Sequence, residues 1–280
     1  MLEYNSNFFL AVCSVLLSCA GEADRSLVLF NGKDLSGWDS YLGPTYDSIQ
    51  NKFDTLQVIG LNQDPHQVFS VVQEDGQSAI RISGENFGGI STTREFKNYH
   101  LTMEFKWGTK KSNPRKDKKR DSGLLYHAVG AHGADFGFWM RSQEFQIQEG
   151  DCGDYWGVAG GSFEVPARKQ NDLYVYDPAA RLVTFNASSQ AGRRCIKHPD
   201  AEKPTGQWNT AEVYLLGDTA VHVVNGVVNM VLYHSSQLVQ GRLKPLKEGK
   251  IQIQSEGAEV FYRNIQIQSI QEIPKNILRK

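Results

Sequence analysis

An all-β protein, with two antiparallel sheets packed face to face, is what this sequence predicts, and three observations predict it. Apolar and polar residues alternate in short runs along most of the chain, the period-two signature of half-buried strands. The 280 residues include 26 Gly together with 14 Phe, 11 Tyr and 5 Trp, a composition that suits many strands joined by turns better than a helix bundle. Long stretches rich in Ala, Leu, Glu and Lys are few. Strands with one apolar face need a second apolar face to cover them, and with little helix on offer that cover must be another sheet.

The chain opens on Phe8 to Leu17, an apolar run too short to cross a bilayer as a helix but long enough for the core of a signal peptide. It ends in Leu16-Leu17-Ser18-Cys19-Ala20-Gly21, which resembles a bacterial lipobox with Cys19 as the lipid-modified first residue of the mature chain. The organisation expected is a signal peptide over 1–18, the lipidated Cys19 with a short linker to 26, one domain over 27–270 and a tail over 271–280. The protein would then be exported, to the periplasm or the outer-membrane surface, and would touch membrane only through its lipid. A buried N-terminal strand or helix is the alternative reading of the apolar run.

The strands follow in order. In His100 to Trp107, Leu101, Met103, Phe105 and Trp107 share one face and His100, Thr102, Glu104 and Lys106 the other. Leu124 to Val129 reads as a strand with Leu125 and His127 on one side. In Glu144 to Gln148, Phe145 and Ile147 oppose Glu144, Gln146 and Gln148. The alternation returns in Thr210 to Leu216, Lys250 to Glu256 and Asn264 to Gln268. Ala220 to Val224 and Val227 to Tyr233 flank Asn225-Gly226, the dipeptide best suited to the positive φ angles of a type I′ hairpin. Helix is expected only near Asp34 and at Ser235 to Val239. The Gln-rich faces at Gln252/Gln254 and Gln266/Gln268 read as solvent-facing.

With 30 Lys and Arg against 31 Asp and Glu, the chain has no excess of positive charge to suit a nucleic-acid or anionic-membrane partner. Basic residues concentrate in Thr109 to Asp121, read as a solvated loop or as a rim above a cleft. Cys152 and Cys195 would be the two thiols of the mature domain, and they form either a disulfide or two buried free thiols; spacing alone does not decide.

Chemistry concentrates between Arg120 and Gly161. Carboxylates, amides, a His and aromatic rings lie on two adjacent segments, the composition of a sugar-binding cleft: amides and carboxylates for hydroxyl groups, rings for the apolar faces of pyranoses. Glu144, Gln146, Glu149 and His127 are the catalytic candidates. Trp139, Gln148, Asp151, Tyr155, Trp156 and Glu212 are candidates for substrate contact. Asp151, Asp154 and main-chain carbonyls offer the oxygen ligands that calcium or another hard divalent cation prefers. The expected partner is an oligosaccharide.

Several motifs occur together in order: Leu29-Phe30-Asn31-Gly32-Lys33-Asp34-Leu35-Ser36-Gly37-Trp38, Asp121-Ser122-Gly123, Glu144-Phe145-Gln146-Ile147, Gly206-Gln207-Trp208-Asn209-Thr210, Asn225-Gly226, and Gly249-Lys250-Ile251 through Phe261-Tyr262-Arg263-Asn264-Ile265. In these the chain resembles the 3-keto-disaccharide hydrolase domain family, over residues 27 to 270. The resemblance implies a concanavalin-like jelly roll acting on carbohydrates, in some members on glycosides already oxidised at C3. Asp121 stands where that family usually has Asn, and the basic loop before it is longer than the family pattern.

A ketone at C3 acidifies the hydrogen at C2, so a carboxylate base can remove it and expel the C1 substituent. This assigns Glu144 as the base, Gln146 and His127 as orienting or donating groups, and Glu149 or Asp151 as the second carboxylate. Two rival readings stand beside it. Glu144-x-Gln146-x-x-Glu149 is similar to the Glu-x-Asp-x-x-Glu signature of laminarinase-type retaining glycosidases, whose two Glu stand about 5 to 5.5 Å apart, with Gln146 in place of the central Asp. A non-catalytic glycan-binding lipoprotein would need only the cleft and its rings.

Overall fold

A computed structural model of the chain describes Met1 and residues 26–278; the apolar run and Cys19 lie outside the described residues. Seven strands precede the basic loop: β1 (Leu27–Val28), β2 (Trp38–Asp47), β3 (Lys52–Leu61), β4 (Phe69–Glu74), β5 (Gln77–Ile82), β6 (Gly88–Thr92) and β7 (Tyr99–Lys111). After it come β8 (Asp121–Val129), β9 (Arg141–Gln148), β10 (Tyr155–Val158), β11 (Gly161–Gln170), β12 (Leu173–Tyr176), β13 (Leu182–Phe185) and β14 (Arg194–Cys195). The chain continues through β15 (Asn209–Leu216), β16 (Thr219–Val224), β17 (Val227–Val239), β18 (Arg242–Pro245), β19 (Lys250–Ser255) and β20 (Ala258–Ser269), and closes on helix α1 (Lys275–Leu278).

These strands form a two-sheet antiparallel jelly-roll sandwich. One sheet runs β12-β11-β17-β16-β15-β7-β20-β5-β4, with β1, β13 and β18 joined at its margins; the other runs β14-β10-β9-β8-β19-β6-β2-β3. The core between them is built by alternation. Leu101, Met103, Phe105 and Trp107 of β7, Ala211 and Val213 of β15, and Phe145 and Ile147 of β9 all pack into one cluster. The Asn225-Gly226 turn joins β16 to β17, with both residues at positive φ, the geometry that a tight hairpin demands.

Two expectations are corrected, and the choice left open at the two cysteines is decided. Ser235 to Val239 is not helical but continues β17, where Ser236 to Val239 pair with β18. The segment at Asp34 is an Asx turn held by Asn31 Oδ1, which accepts from the Lys33 and Asp34 backbone amides, and the helix α1 lies in the expected tail. Cys152 and Cys195 are free buried thiols, not a disulfide, and burial raises the pKa of both.

The second sheet positions the site. Directly paired residues of antiparallel strands share a face, so its register places Trp156, Glu144 and Leu125 side by side, with Gln146 beside Gly123. Tyr41, Gly89 and Gln254 form a second row across β2, β6 and β19. This is the face turned away from the core, and a second apolar cluster of Phe87, Leu125, Phe138, Trp139 and Val158 covers part of it.

Candidate functional site

Glu144 lies on that outer face of β9 with only 5% of its surface exposed. Two strands meet over it because Gly123 has no side chain: a Cβ there would come closer than 3.0 Å to Glu144 Oε1 and to Gln254 Oε1. The bare glycine thus lets a carboxylate from β9 and an amide from β19 converge above β8. Burial pushes the Glu144 pKa well above the usual carboxylate range, and the nearby Asp121 charge pushes it further, with Arg193 and the Gln254 amide opposing.

Asp121, at the start of β8, is the hub of a buried polar network. It accepts from Gln146 Nε2 at 2.9 Å, from Gln148 Nε2 and from the Arg115 guanidinium. Arg115 comes from the basic loop and also reaches Glu256 Oε1 at 3.3 Å. Burial raises the Glu256 carboxyl, helped by Asp121 and opposed by Arg115. Arg115 therefore supplies one positive charge to two carboxyls, with Glu144 as a third close enough to feel them.

Glu256 also lines a cavity of about 440 Å³ with Arg193 and five rings, Phe53, Phe87, Phe136, Phe138 and Trp139. Arg193 pairs with Asp135 at 3.2 Å and lies over both Phe136 and Trp156. Several buried polar atoms on or beside this face lack a protein partner: Gln254 Oε1, Gln252 Nε2, Ser91 Oγ and Arg115 Nε. A buried polar atom left unpaired is costly, and a polyhydroxylated ligand offers the donors and acceptors that these atoms lack.

The structure brings some of the sequence candidates together and disperses others. Glu144, Gln146 and Gln148 share the network around Asp121. Trp156 lies beside Glu144, but its ring is flanked by Arg193 and Arg194, at 5.3 and 5.5 Å from the ring centroid. Trp139 lines the cavity, yet it is buried, with Nε1 donating to the Gly88 carbonyl at 2.9 Å.

His127 does not join this group. It sits on a β8 bulge at positive φ, T-shaped against Tyr126, and faces the Leu246 backbone. Burial lowers its pKa to about 3. Glu149 lies in the turn beyond β9, held by Arg120 at 3.1 Å and by the Thr205 hydroxyl; partial burial raises its pKa, but these partners more than offset that and leave it lowered. A donor with a lowered pKa is a poor general acid, which disfavours Glu149 as the partner of Glu144 in a retaining pair.

Asp151 is taken by Lys119 at 2.9 Å and Arg194 at 3.5 Å, and Asp154 by Arg194 at 2.6 Å. Both carboxylates are thus neutralised by side-chain cations, which disfavours a calcium ion between them. Among the described residues no cluster of three or more His, Cys, Asp or Glu has metal-site geometry. Tyr155 is a core residue whose hydroxyl donates to Gln143 Oε1 at 2.7 Å, not a rim ring. Glu212 lies on the outer face of the other sheet, paired with His100 at 2.8 Å.

Sequence reasoning missed Arg115, Glu256, Gln254 and Phe136 as site residues. Gln252 and Gln254 are buried under the site and not solvent-facing, whereas Gln266 is exposed as expected. The only signal that could have found Gln254 was its register opposite Gly123, which requires knowing that β19 pairs with β8.

A model of the 3-keto-alpha-glucoside-1,2-lyase-like domain matches residues 26–268. None of the curated proteins compared is significantly similar. Among solved structures, a Parabacteroides distasonis protein provisionally described as a glycosyl hydrolase is 19% identical at a TM-score of 0.46, covering 88% of this chain and 94% of its own. The carbohydrate-binding module CBM66 from Bacillus subtilis is 8% identical at a TM-score of 0.41, over 72% of this chain and 92% of its own. LamAcat from Zobellia galactanivorans is 11% identical at 0.42, over 82% and 90%.

Proposed function

Because the chain belongs to the 3-keto-alpha-glucoside-1,2-lyase-like domain family, we propose that it is a carbohydrate-active enzyme that cleaves 3-keto-glycosides, 3-keto-disaccharides among them, with Glu144 moving the proton at C2. The ketone at C3 makes that proton acidic. Glu144 as carboxylate takes it, the C–H electron pair becomes the C1=C2 double bond, and the C1–O bond breaks with its pair on the departing oxygen. Glu256 in its protonated form supplies the proton that this oxygen needs. Water then adds at C1 and a proton returns to C2, so that the sum is hydrolysis.

The observation that carries this reading is the carboxyl cluster. Asp121, Glu144 and Glu256 interact in a buried environment where Arg115 compensates one charge of the two it touches. Neighbouring buried carboxyls cannot all ionise, and environments that hold one ionised and another protonated create the base and the acid an elimination requires. Burial raises Asp121 to about 7, opposed by Arg115 and the Gln148 amide, so the cluster shares its protons, and Glu144 can ionise when Asp121 takes one up. The raised pKa of Glu144 makes it a stronger base once ionised. Gln254 Oε1 and Gln252 Nε2, buried without protein partners, are available to a sugar hydroxyl and to the developing enolate oxygen.

The test is incubation with paired native and 3-keto disaccharides. Cleavage of the keto member alone, lost in Glu144→Gln, supports the reading. Cleavage of both members favours a retaining glycosidase, and binding of either without cleavage favours a glycan-binding protein. Export and lipid attachment at Cys19 belong to the same proposal, on the sequence pattern alone. Cys19→Ala should release the protein from the membrane fraction, and retention there would sink that part.

A further inference from the structure

We infer that the aromatic cavity beside the carboxyl cluster is a subsite for an apolar, aromatic aglycone, so that the preferred substrates are aryl-bearing 3-keto-glycosides and not disaccharides. The inference rests on the proposed reaction and names the departing half of its substrate. Glu256 lines the cavity and is bonded to Arg115 of the carboxyl cluster, which places the cavity where the leaving group must sit.

The lining chemistry favours an aromatic ring over a second sugar. Phe53, Phe87 and Phe138 form a box of tilted rings with centroids 4.8 to 5.4 Å apart, the spacing of favourable edge-to-face contact. The two polar groups of the lining already have partners, Arg193 with Asp135 and Glu256 with Arg115. A glucosyl leaving group would bring several hydroxyls into a space with few free partners, and a buried hydroxyl without a partner is unfavourable. An aromatic ring brings none. About 440 Å³ is within the range of small-molecule sites.

Phe136 marks the mouth. It is 73% exposed with φ at 51°, a conformation that a bulky side chain rarely adopts. Exposure of a large ring costs free energy and so does its backbone, and strain of this kind persists mostly at ligand clamps and active sites. Arg193 lies over its ring at 5.5 Å. Phe136 is therefore placed to close over a ring that enters the cavity.

The experiment compares 3-keto-α-glucosides whose aglycone is methyl or benzyl, alcohols of similar leaving ability, with the glucosyl compound as the disaccharide reference. The benzyl compound should have a KM about tenfold below the methyl and glucosyl ones, the size expected of a ring stacked in an aromatic site. Phe136→Ala should narrow that ratio to within about threefold, and Phe136→Tyr should restore it. In parallel, intrinsic tryptophan fluorescence reads binding of the unoxidised benzyl and methyl glucosides, which needs no turnover. If no 3-keto-glucoside is cleaved but benzyl-selective binding remains, the reaction fails and the subsite stands. Equal KM values for all three aglycones, or binding with no preference for benzyl, would overturn the subsite.

Discussion

Glu144 and Gln254 meet across the bare backbone of Gly123, a carboxylate from one strand and an amide from another, over a strand that contributes no side chain of its own there. The glycine is not needed for its backbone freedom, since it lies in regular β8. It is needed for space.

Gly123→Ala tests that relationship. The added methyl must push aside the flexible ends of Glu144 and Gln254 without disturbing backbone. Turnover of a 3-keto-glucoside should fall by about 10²-fold, the scale of loss when a reacting group is displaced by an ångström. The urea midpoint should change little. A drop in stability with activity per folded molecule intact would show that the glycine serves packing alone.

Glu144→Gln should abolish turnover and also stabilise the fold at neutral pH. Burial and Asp121 raise the Glu144 pKa well above its ordinary 4.5, so the folded protein holds a proton that the unfolded chain releases. Stability from this group is complete below about 4.5 and is lost as pH rises toward the folded value. The variant's Tm advantage should therefore be larger at pH 8 than at pH 4, with about 2–4 °C for each kcal/mol, and circular dichroism melts at the two pH values measure it.

Arg115→Met leaves Asp121 and Glu256 without their shared cation, and breaking a buried ion pair in this way costs about 3–5 kcal/mol. Removing both charges is far milder. Arg115→Met/Asp121→Asn should therefore recover most of the lost stability in denaturant titration, whereas additive losses would show that the two residues are not coupled.

His127→Asn should keep catalytic turnover, because His127 faces Leu246 and not the carboxyl cluster. Asn accepts the positive φ of this position. Burial holds His127 at about 3 and His222 at about 4, against an ordinary 6.5, so the stability of their neutral forms is present above about 6.5 and lost as pH falls toward those values. Melts between pH 7 and pH 4 should show a shallower acid limb in the variant. A large fall in kcat at pH 7 would return His127 to the mechanism.

The fold was legible because alternation is a local property: Leu101 to Trp107 announce a buried face with no knowledge of partners. The helix expected at Ser235 to Val239 failed because local propensity yielded to pairing with β18. Glu144, Gln146 and Gln148 were legible as a group because they share one strand face. Arg115, Gln254 and Glu256 were not, because each reaches the site from a different segment and only the register joins them. The basic loop and Asp121 meet in one ion pair between Arg115 and Asp121. The loop read as solvated rim thus sends one of its cations into the interior. His127 was misplaced by the bulge after Tyr126, which no local pattern announces.

The central claim, proton removal at C2 by Glu144, is tested most directly by turnover of a 3-keto-glucoside in deuterium oxide with the released sugar analysed at C2. Elimination followed by hydration predicts deuterium at C2 in the product of the wild-type enzyme and no product from Glu144→Gln. Released sugar that keeps its original hydrogen at C2 would contradict the account, because the bond to C1 would then have been cleaved by direct displacement.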